Sequence, residues 1–394
     1  MSRLNDLMHA YCPDGVGFQP LGKLTTIRNG FTYNADKVMT RPYKVSRIET
    51  ISSGRINMDR VATVDSVNQS YKLQEGDILF SHINSIQYLG NCAYYTESIG
   101  ELYHGMNLLN IHSINPDELL PRFLFYYMRT YQWWLNIYRD AKHAVNQCSL
   151  STSDMKKWLV PVPPIEVQRE VVRVLDSFQE LDATLNEELE TRERQLEHYR
   201  HGFIFDIQSY PTAPLGSIAP YSKDRIDSTA IQPDNYVGVD TLLQNKRGRT
   251  SSPGTTVPSG RLIAFQEGDT LLGNIRPNLK KIWFADCDGG ANGDVLVLHS
   301  ACTIDSRYLY YVVSSDDFFL FDVGKSKGSK MPRGDKKAIS SYPIPLPSIE
   351  TQREIVAKLD AMQALIDSIR AEREARHKQF EHYRDRILDF PRKA

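Results

Sequence analysis

Residues 160–170 read Val160-Pro161-Val162-Pro163-Pro164-Ile165-Glu166-Val167-Gln168-Arg169-Glu170. The pattern returns 184 residues later as Ile344-Pro345-Leu346-Pro347-Ser348-Ile349-Glu350-Thr351-Gln352-Arg353-Glu354. At the same offset Leu175-Asp176 recurs as Leu359-Asp360, and Glu197-His198-Tyr199-Arg200 as Glu381-His382-Tyr383-Arg384. Agreement held in register over roughly 40 positions marks an internal duplication, which has to be recognised before any element is assigned.

Each copy begins extended and then turns helical. Pro161, Pro163 and Pro164 keep the residues before them out of the helical region. Beyond them nothing from Ile165 to His201 is Gly or Pro, and nothing from Ser348 to Phe390 in the second copy. Steps of four and three residues from Val171 pick out Val171, Leu175, Phe178, Asp182, Leu185, Leu189, Arg192, Leu196, Tyr199 and Phe203. The second copy gives Ile355, Leu359, Met362, Ile366, Ile369, Arg373, Arg376, Phe380, Tyr383 and Ile387, and each series is apolar at eight of ten positions. A 3.5-residue apolar period over about five heptads is a coiled-coil seam. Such a helix is about 60 Å long, and one apolar stripe of that length needs a partner. The other copy is the available partner, and a pseudo-dyad across the helix axes makes the pair antiparallel, with the globular parts at opposite ends.

The segments between the helices are related more loosely. Gln74-Glu75-Gly76-Asp77 matches Gln266-Glu267-Gly268-Asp269, and Arg122-Phe123-Leu124-Phe125-Tyr126 matches Arg307-Tyr308-Leu309-Tyr310-Tyr311. Both read as mixed domains of short strands with one helix each, at 121–139 and 305–321. The Glu-Gly-Asp is turn chemistry ahead of a buried strand. The expected organisation is α+β: globular domains at 1–160 and 209–346, and long helices at 161–208 and 347–394.

Net charge is −1 over 394 residues, but the four segments carry +2, −6, +2 and +1 in chain order. The acidic first helix hides two mildly basic domains, a distribution more informative than its sum. The most suggestive stretch is Lys325, Lys327, Lys330, Arg333, Lys336 and Lys337 around Gly324, Gly328 and Gly334, a cationic, glycine-rich loop suited to a phosphate backbone. Shorter candidates for DNA contact are Arg41, Lys44 and Arg47; Lys246, Arg247 and Arg249; and Arg276, Lys280 and Lys281. Bases would be read by Arg, Asn or Gln in nearby loops.

Catalytic signatures are missing. The Pro-Pro at 163–164 lacks the flanking amide and ring of a DNA amino-methyltransferase motif, and no glycine-rich phosphate or dinucleotide loop occurs. Asp154-Met155-Lys156 and Asp335-Lys336-Lys337 have a nuclease-like spacing that is common by chance. The five cysteines are scattered without a Cys-x-x-Cys pair, which argues against a disulfide framework or a zinc site. The start of the chain has no secretory apolar core and no stretch is long enough to span a bilayer, so a cytoplasmic protein without a membrane segment is expected. A coiled-coil adaptor joining proteins without reading DNA is the alternative from another class; it leaves the paired, divergent domains unexplained.

Duplicated variable domains, each followed by Pro-x-Pro-x-x-x-x-Gln-x-Glu and a long helix ending near His-Tyr-Arg, resemble the specificity subunits of type I restriction-modification systems over essentially the whole chain. The resemblance implies that each domain recognises one half of a bipartite, asymmetric site in double-stranded DNA. It implies an antiparallel pair of helices that docks two DNA adenine methyltransferase subunits, joined by motor-nuclease subunits. The chain itself would be non-catalytic and bind no cofactor, with S-adenosylmethionine, ATP and Mg on the partners. One departure stands out: the basic loop at 324–334 has no basic counterpart before the first helix, where His143-Ala144-Val145-Asn146-Gln147 occurs.

Overall fold

The computed structural model describes residues 2–32, 43–52, 54–144, 147–206, 210–250 and 255–393. The chain forms two compact units, one of residues 1–184 with 373–394, the other of 185–372. Each therefore takes part of each long helix, Ile165–Ile204 and Ile349–Ile387. Among the described residues no helix is long and apolar enough to cross a membrane.

In the first unit an antiparallel sheet runs in the order Thr25–Asn29, Leu108–Ser113, Ile78–Ser81, Cys92–Tyr94. Ile78–Ser81 is buried throughout, as its uninterrupted apolar sequence requires. Gly76 supplies the positive φ of 85° that turns the chain into it. Asp77 fastens the turn by accepting from the Gln74 amide at 2.9 Å, and it bonds His112 on the neighbouring strand at 2.7 Å. The second unit repeats this arrangement. Thr270–Gly273 lies between Ile282–Phe284 and Val295–Leu298, Gly268 has φ 88°, and Asp269 bonds the Gln266 amide and His299. A further small sheet in each unit contains one parallel pair, Tyr43–Ser46 with Tyr103–His104 and Tyr236–Val237 with Gly289–Ala291.

In each globular part the stretch that the sequence suggested as one helix forms two, Pro121–Tyr127 and Tyr131–Asp140, then Ser306–Val313 and Asp316–Lys325, and further helices such as Ser2–Tyr11 occur. The break has a local cause. Thr130 and Ser315 adopt extended backbone and their hydroxyls accept from the amides of Trp133 and Phe318, so each starts a new helix. Trp133 is fully buried and packs edge-on against Trp158 with ring centroids 5.0 Å apart.

The long helices run antiparallel within each unit. In the first, Phe178 meets Phe380 and Tyr383, and Asp182 bonds Arg373 at 2.8 Å. In the second, Leu189, Leu196 and Ile204 share a core with Ile355, Leu359, Met362 and Ile366, and Arg370 pairs with Glu193. Leu185 and Ile369 are also buried. Tyr199 departs from the 3.5-residue seam: it is 46% exposed and stacks on Phe203, because a straight helix drifts from a heptad repeat. The first helix runs through Gly202, the first glycine in its sequence, and ends at Ile204.

What ties helix to head explains the duplicated motif. The strand containing Pro161 pairs with Phe18–Pro20, and the strand containing Pro345 pairs with Thr212–Pro214. Gln168 is wholly buried: its Oε1 accepts from the Leu120 amide, and its Nε2 donates to the Glu118 and Pro163 carbonyls at 2.8 Å. Gln352 does the same with the Asp305 amide and the Pro347 carbonyl. About two turns further on, Asp176 receives Arg122 Nε at 2.9 Å and the Tyr126 hydroxyl, as Asp360 receives Arg307 Nε and the Tyr311 hydroxyl.

A buried acid distinguishes the second unit. Asp322 and Asn274 lie beside Gly334, where an added Cβ would stand 2.5 Å from Asp322 Oδ1 and 2.8 Å from Asn274 Oδ1. Neither Asp322 oxygen has a hydrogen-bond partner among the described residues. Burial lifts its carboxyl from the ordinary 3.8 to about 6.

Two outcomes follow for stability. Gln168→Ala strands one amide and two carbonyls and should cost about 2–4 kcal/mol in urea unfolding, whereas exposed Gln87→Ala should be near neutral. The folded chain holds the Asp322 proton more tightly than the unfolded chain, so stability falls as pH rises from about 4 through about 6. Asp322→Asn should therefore stabilise the protein by about 2–3 kcal/mol at pH 7.5, and the gain should vanish below about pH 4. A gain independent of pH would show that the carboxyl is not held protonated.

Candidate nucleic-acid interface

In the second unit three loops converge. The 245–249 loop lies along 279–280, with the Asn245 amide donating to the Leu279 carbonyl and the Lys246 amide to the Lys280 carbonyl. The 274–281 connection is bridged to the basic stretch: the Arg276 amide donates to Pro332 O at 2.7 Å, and Ile275 pairs with Arg333. The basic stretch is itself a hairpin, since Lys327 and Arg333 exchange backbone hydrogen bonds of 2.9 Å. Its glycines serve the fold. Gly328 supplies φ 102°, Gly334 leaves room for Asp322 and Asn274, and Gly324 lies at the end of the helix Asp316–Lys325 in open space.

These loops hold four of the five non-glycine residues with positive φ among the described residues: Asn245 (57°), Lys246 (61°), Arg276 (52°) and Lys280 (49°). Left-handed backbone is unfavourable for such residues and persists where the surroundings over-determine it. Here an ionic brace does so. Lys246 Nζ bonds Glu197 at 2.8 Å and Asp316 at 2.6 Å, Lys280 Nζ shares Asp316, and Glu197 also holds Arg200 and the Asp316 amide. Burial depresses the Lys246 ammonium pKa, helped by Arg200 and opposed by Glu197 and Asp316. Burial acts to raise the Asp316 carboxyl, but the two lysines hold it below its ordinary value.

The sequence candidates thus separate by environment. Lys246 is 19% exposed and committed to carboxylates. Arg249 is 15% exposed, lies 4.4 Å over the Trp283 ring and donates to the Asp234 carbonyl. Lys281 donates to the Val239 carbonyl. These side chains hold loops together. Lys327 pairs with Asp335, and Arg333 with Asp294 at 3.1 Å, yet both remain mostly exposed. Arg247, Arg276, Lys325, Lys330, Lys336 and Lys337 are exposed and carry no ion pair among the described residues. In the first unit Lys44 is exposed on its strand, Arg47 pairs with Glu49 at 2.7 Å, and Arg41 lies outside the described residues.

The nuclease-like carboxylates are occupied. Asp335 caps a helix through the Lys337 and Ala338 amides, and Asp154 bonds Lys157. No group of three His, Cys, Asp or Glu converges among the described residues. Sequence reasoning missed the brace, because nothing in the spacing of Glu197, Lys246, Lys280 and Asp316 signals that they meet.

The family model for the type I restriction modification DNA specificity domain matches residues 13–191 and 290–376. The putative type I restriction enzyme MjaX specificity subunit of Methanocaldococcus jannaschii is 30% identical, over 93% of this chain and 90% of that protein. The EcoR124I/EcoR124II specificity subunit of Escherichia coli is 25% identical over 72% and 74%. Among solved structures, a chain from a study of complex assembly in the type I system superposes with a TM-score of 0.57 at 17% identity, covering 96% of this chain and 97% of that one. The S subunit from M. genitalium gives 0.53 at 14%, with the same coverage. The duplicated heads, the paired helices and these matches place the chain in one family: it belongs to the specificity subunits of type I restriction-modification systems.

Proposed function

We propose that each compact unit reads one half of a bipartite, asymmetric site in double-stranded DNA, and that the paired helices carry two adenine methyltransferase subunits, to which motor-nuclease subunits are added. Chemistry and its requirements (S-adenosylmethionine, ATP and Mg) reside on those partners, and this chain supplies address and scaffold, in the cytoplasm. The observation that carries this reading is a repeated clamp under two different heads: Gln168 with Arg122–Asp176, and Gln352 with Arg307–Asp360. A support that stays the same while the supported surface changes suits recognition of two unlike sequences.

In the second unit the phosphate contacts fall to Arg247, Lys325 and Lys330, with Lys327 and Arg333 exchanging their carboxylates for phosphate. Lys44 and Arg47 are the candidates in the first unit. Lysine and arginine on phosphates release counterions, so their contribution is indifferent to sequence and sensitive to salt.

The test is a salt-titrated binding assay on the full chain with its methyltransferase subunit. Lys330→Ala combined with Arg333→Ala should weaken binding to specific and random duplexes alike and make the slope of log K against log salt shallower by about 1–2. An altered preferred sequence would instead make these side chains base readers. Purified chain that methylates DNA without a partner would overturn the non-catalytic assignment.

A further inference from the structure

The basic hairpin of the second unit has a structural counterpart that its sequence conceals. In the first unit Lys142–His143 pairs with Cys148–Ser149, which pairs in turn with Ile83–Asn84. The Leu150 amide then donates to the His82 carbonyl. In the second unit Lys327 pairs with Arg333, Arg333 with Ile275, and the Gly334 amide donates to the Asn274 carbonyl. His82 and Asn274 each stand five residues beyond the equivalent turn aspartates, Asp77 and Asp269. Both units therefore build the same two-part device: the connection that leaves the buried central strand, and a hairpin laid against it.

The turn aspartates and the helix clamps keep their chemistry between the copies, and the device itself does not. Asp77 and Asp269, Gln168 and Gln352, and Asp176 and Asp360 are equivalent in type and in bonding. In sequence, Asn84-Ser85-Ile86-Gln87-Tyr88 corresponds to Arg276-Pro277-Asn278-Leu279-Lys280 and matches it at no position. Backbone pairing repeated under changed side chains is a frame that can present different chemistry in each unit.

We infer that this repeated connection-and-hairpin device is the base-reading surface of each unit, with Gln87 the principal reader in the first and Arg276 in the second. The inference rests on the proposed reading of one half-site by each unit. Gln87 is exposed and its amide makes no side-chain hydrogen bond among the described residues. Arg276 is exposed and has no ion pair among the described residues, while its backbone is fixed by Pro277, by the bond to Pro332 O and by the Lys280–Asp316 bond nearby. A free guanidinium on a rigid, left-handed turn is preorganised for a two-pronged contact. Arginine presents two donors to guanine O6 and N7, and a glutamine amide matches adenine N6 and N7. The second unit thus reads a half-site containing guanine, and the first a half-site containing adenine.

The experiment uses the full chain in complex with its methyltransferase subunit, incubated with randomised duplexes whose bound fraction is sequenced. Arg276→Ala should reduce discrimination at one guanine position by about 10-fold or more and leave the other half-site unchanged. Arg276→Gln, which keeps a polar side chain on the same turn, should move that position toward adenine. Gln87→Ala should relax one adenine position in the opposite half. Uniformly weaker binding with both half-sites intact, for variants whose thermal unfolding matches the parent, would overturn the assignment. Failure of the unaltered complex to select any sequence would remove the underlying DNA-reading proposal instead.

Discussion

The fold depends on a guanidinium held between an aromatic floor and a helix carboxylate. Arg122 lies 4.8–5.3 Å from the centroids of Tyr94, Phe125 and Tyr126 while its Nε donates to Asp176; Arg307 lies 4.8–5.4 Å from Phe284, Tyr310 and Tyr311 and donates to Asp360. Charge taken partly out of water is tolerated only when geometry and hydrogen bonding compensate it. Here the carboxylate balances the charge, the rings contribute cation–π attraction, and a tyrosine hydroxyl fills a remaining lone pair of the aspartate. Burial raises the pKa of the Tyr126 and Tyr311 hydroxyls, and the carboxylates raise it further, so both stay protonated donors. The buried glutamine about two turns earlier removes the remaining freedom. A helix fixed to its head at two points cannot rotate about its axis.

With support secured, the heads are free to differ, and they differ inside as well as outside. The positions of Leu150 and Ile137 in the first unit correspond by sequence to Gly334 and Asp322 in the second, and that of His82 to Asn274. An apolar filling has been exchanged for a cramped oxygen-rich pocket directly beneath the basic hairpin. Gly334 is obligatory there, because any side chain would collide with Asp322 and Asn274. The acid in turn accounts for none of the unit's hydrogen bonding among the described residues, and its burial opposes stability at neutral pH. A residue that weakens the fold beneath a loop whose backbone is itself strained belongs to a surface selected for something other than stability.

The large features were legible because they are periodic or repeated. The heptad seam, the proline entries, and the Leu-Asp and Gln-x-Glu pairs sit at constant offset, and the structure gives the Gln and the Asp the tasks that explain their recurrence. The Arg122 and Arg307 match was also visible, though not that its partner was the recurring aspartate. What escaped was local capping and long-range charge. Thr130 and Ser315 split helices that apolar periodicity runs together, since a single hydroxyl outweighs several residues of weak propensity. The Glu197–Lys246–Asp316–Lys280 brace joins residues up to 119 positions apart, a separation at which no pattern survives. The basic hairpin was visible as composition, but its equivalence to the pairing of Lys142–His143 with Cys148–Ser149 was hidden because, beyond the lysines at 142 and 327, only backbone pairing is shared.

The seam's own imperfections complete the picture. Asp182 and Arg373 stand where a heptad repeat calls for apolar side chains, and in the first unit they bond each other. Either alone would be a charge facing an apolar stripe; together they satisfy each other in one register only. Sliding one helix by a turn would separate them. A polar pair inside a seam lowers stability relative to leucines and in exchange excludes the neighbouring registers. Apolar seams alone slip readily, since one leucine contact resembles the next. For helices whose two ends must each meet a head at a fixed glutamine and a fixed aspartate, register is the property that cannot be left to packing, and the Asp182–Arg373 bond, with the Arg370–Glu193 pair, is where the sequence specifies it.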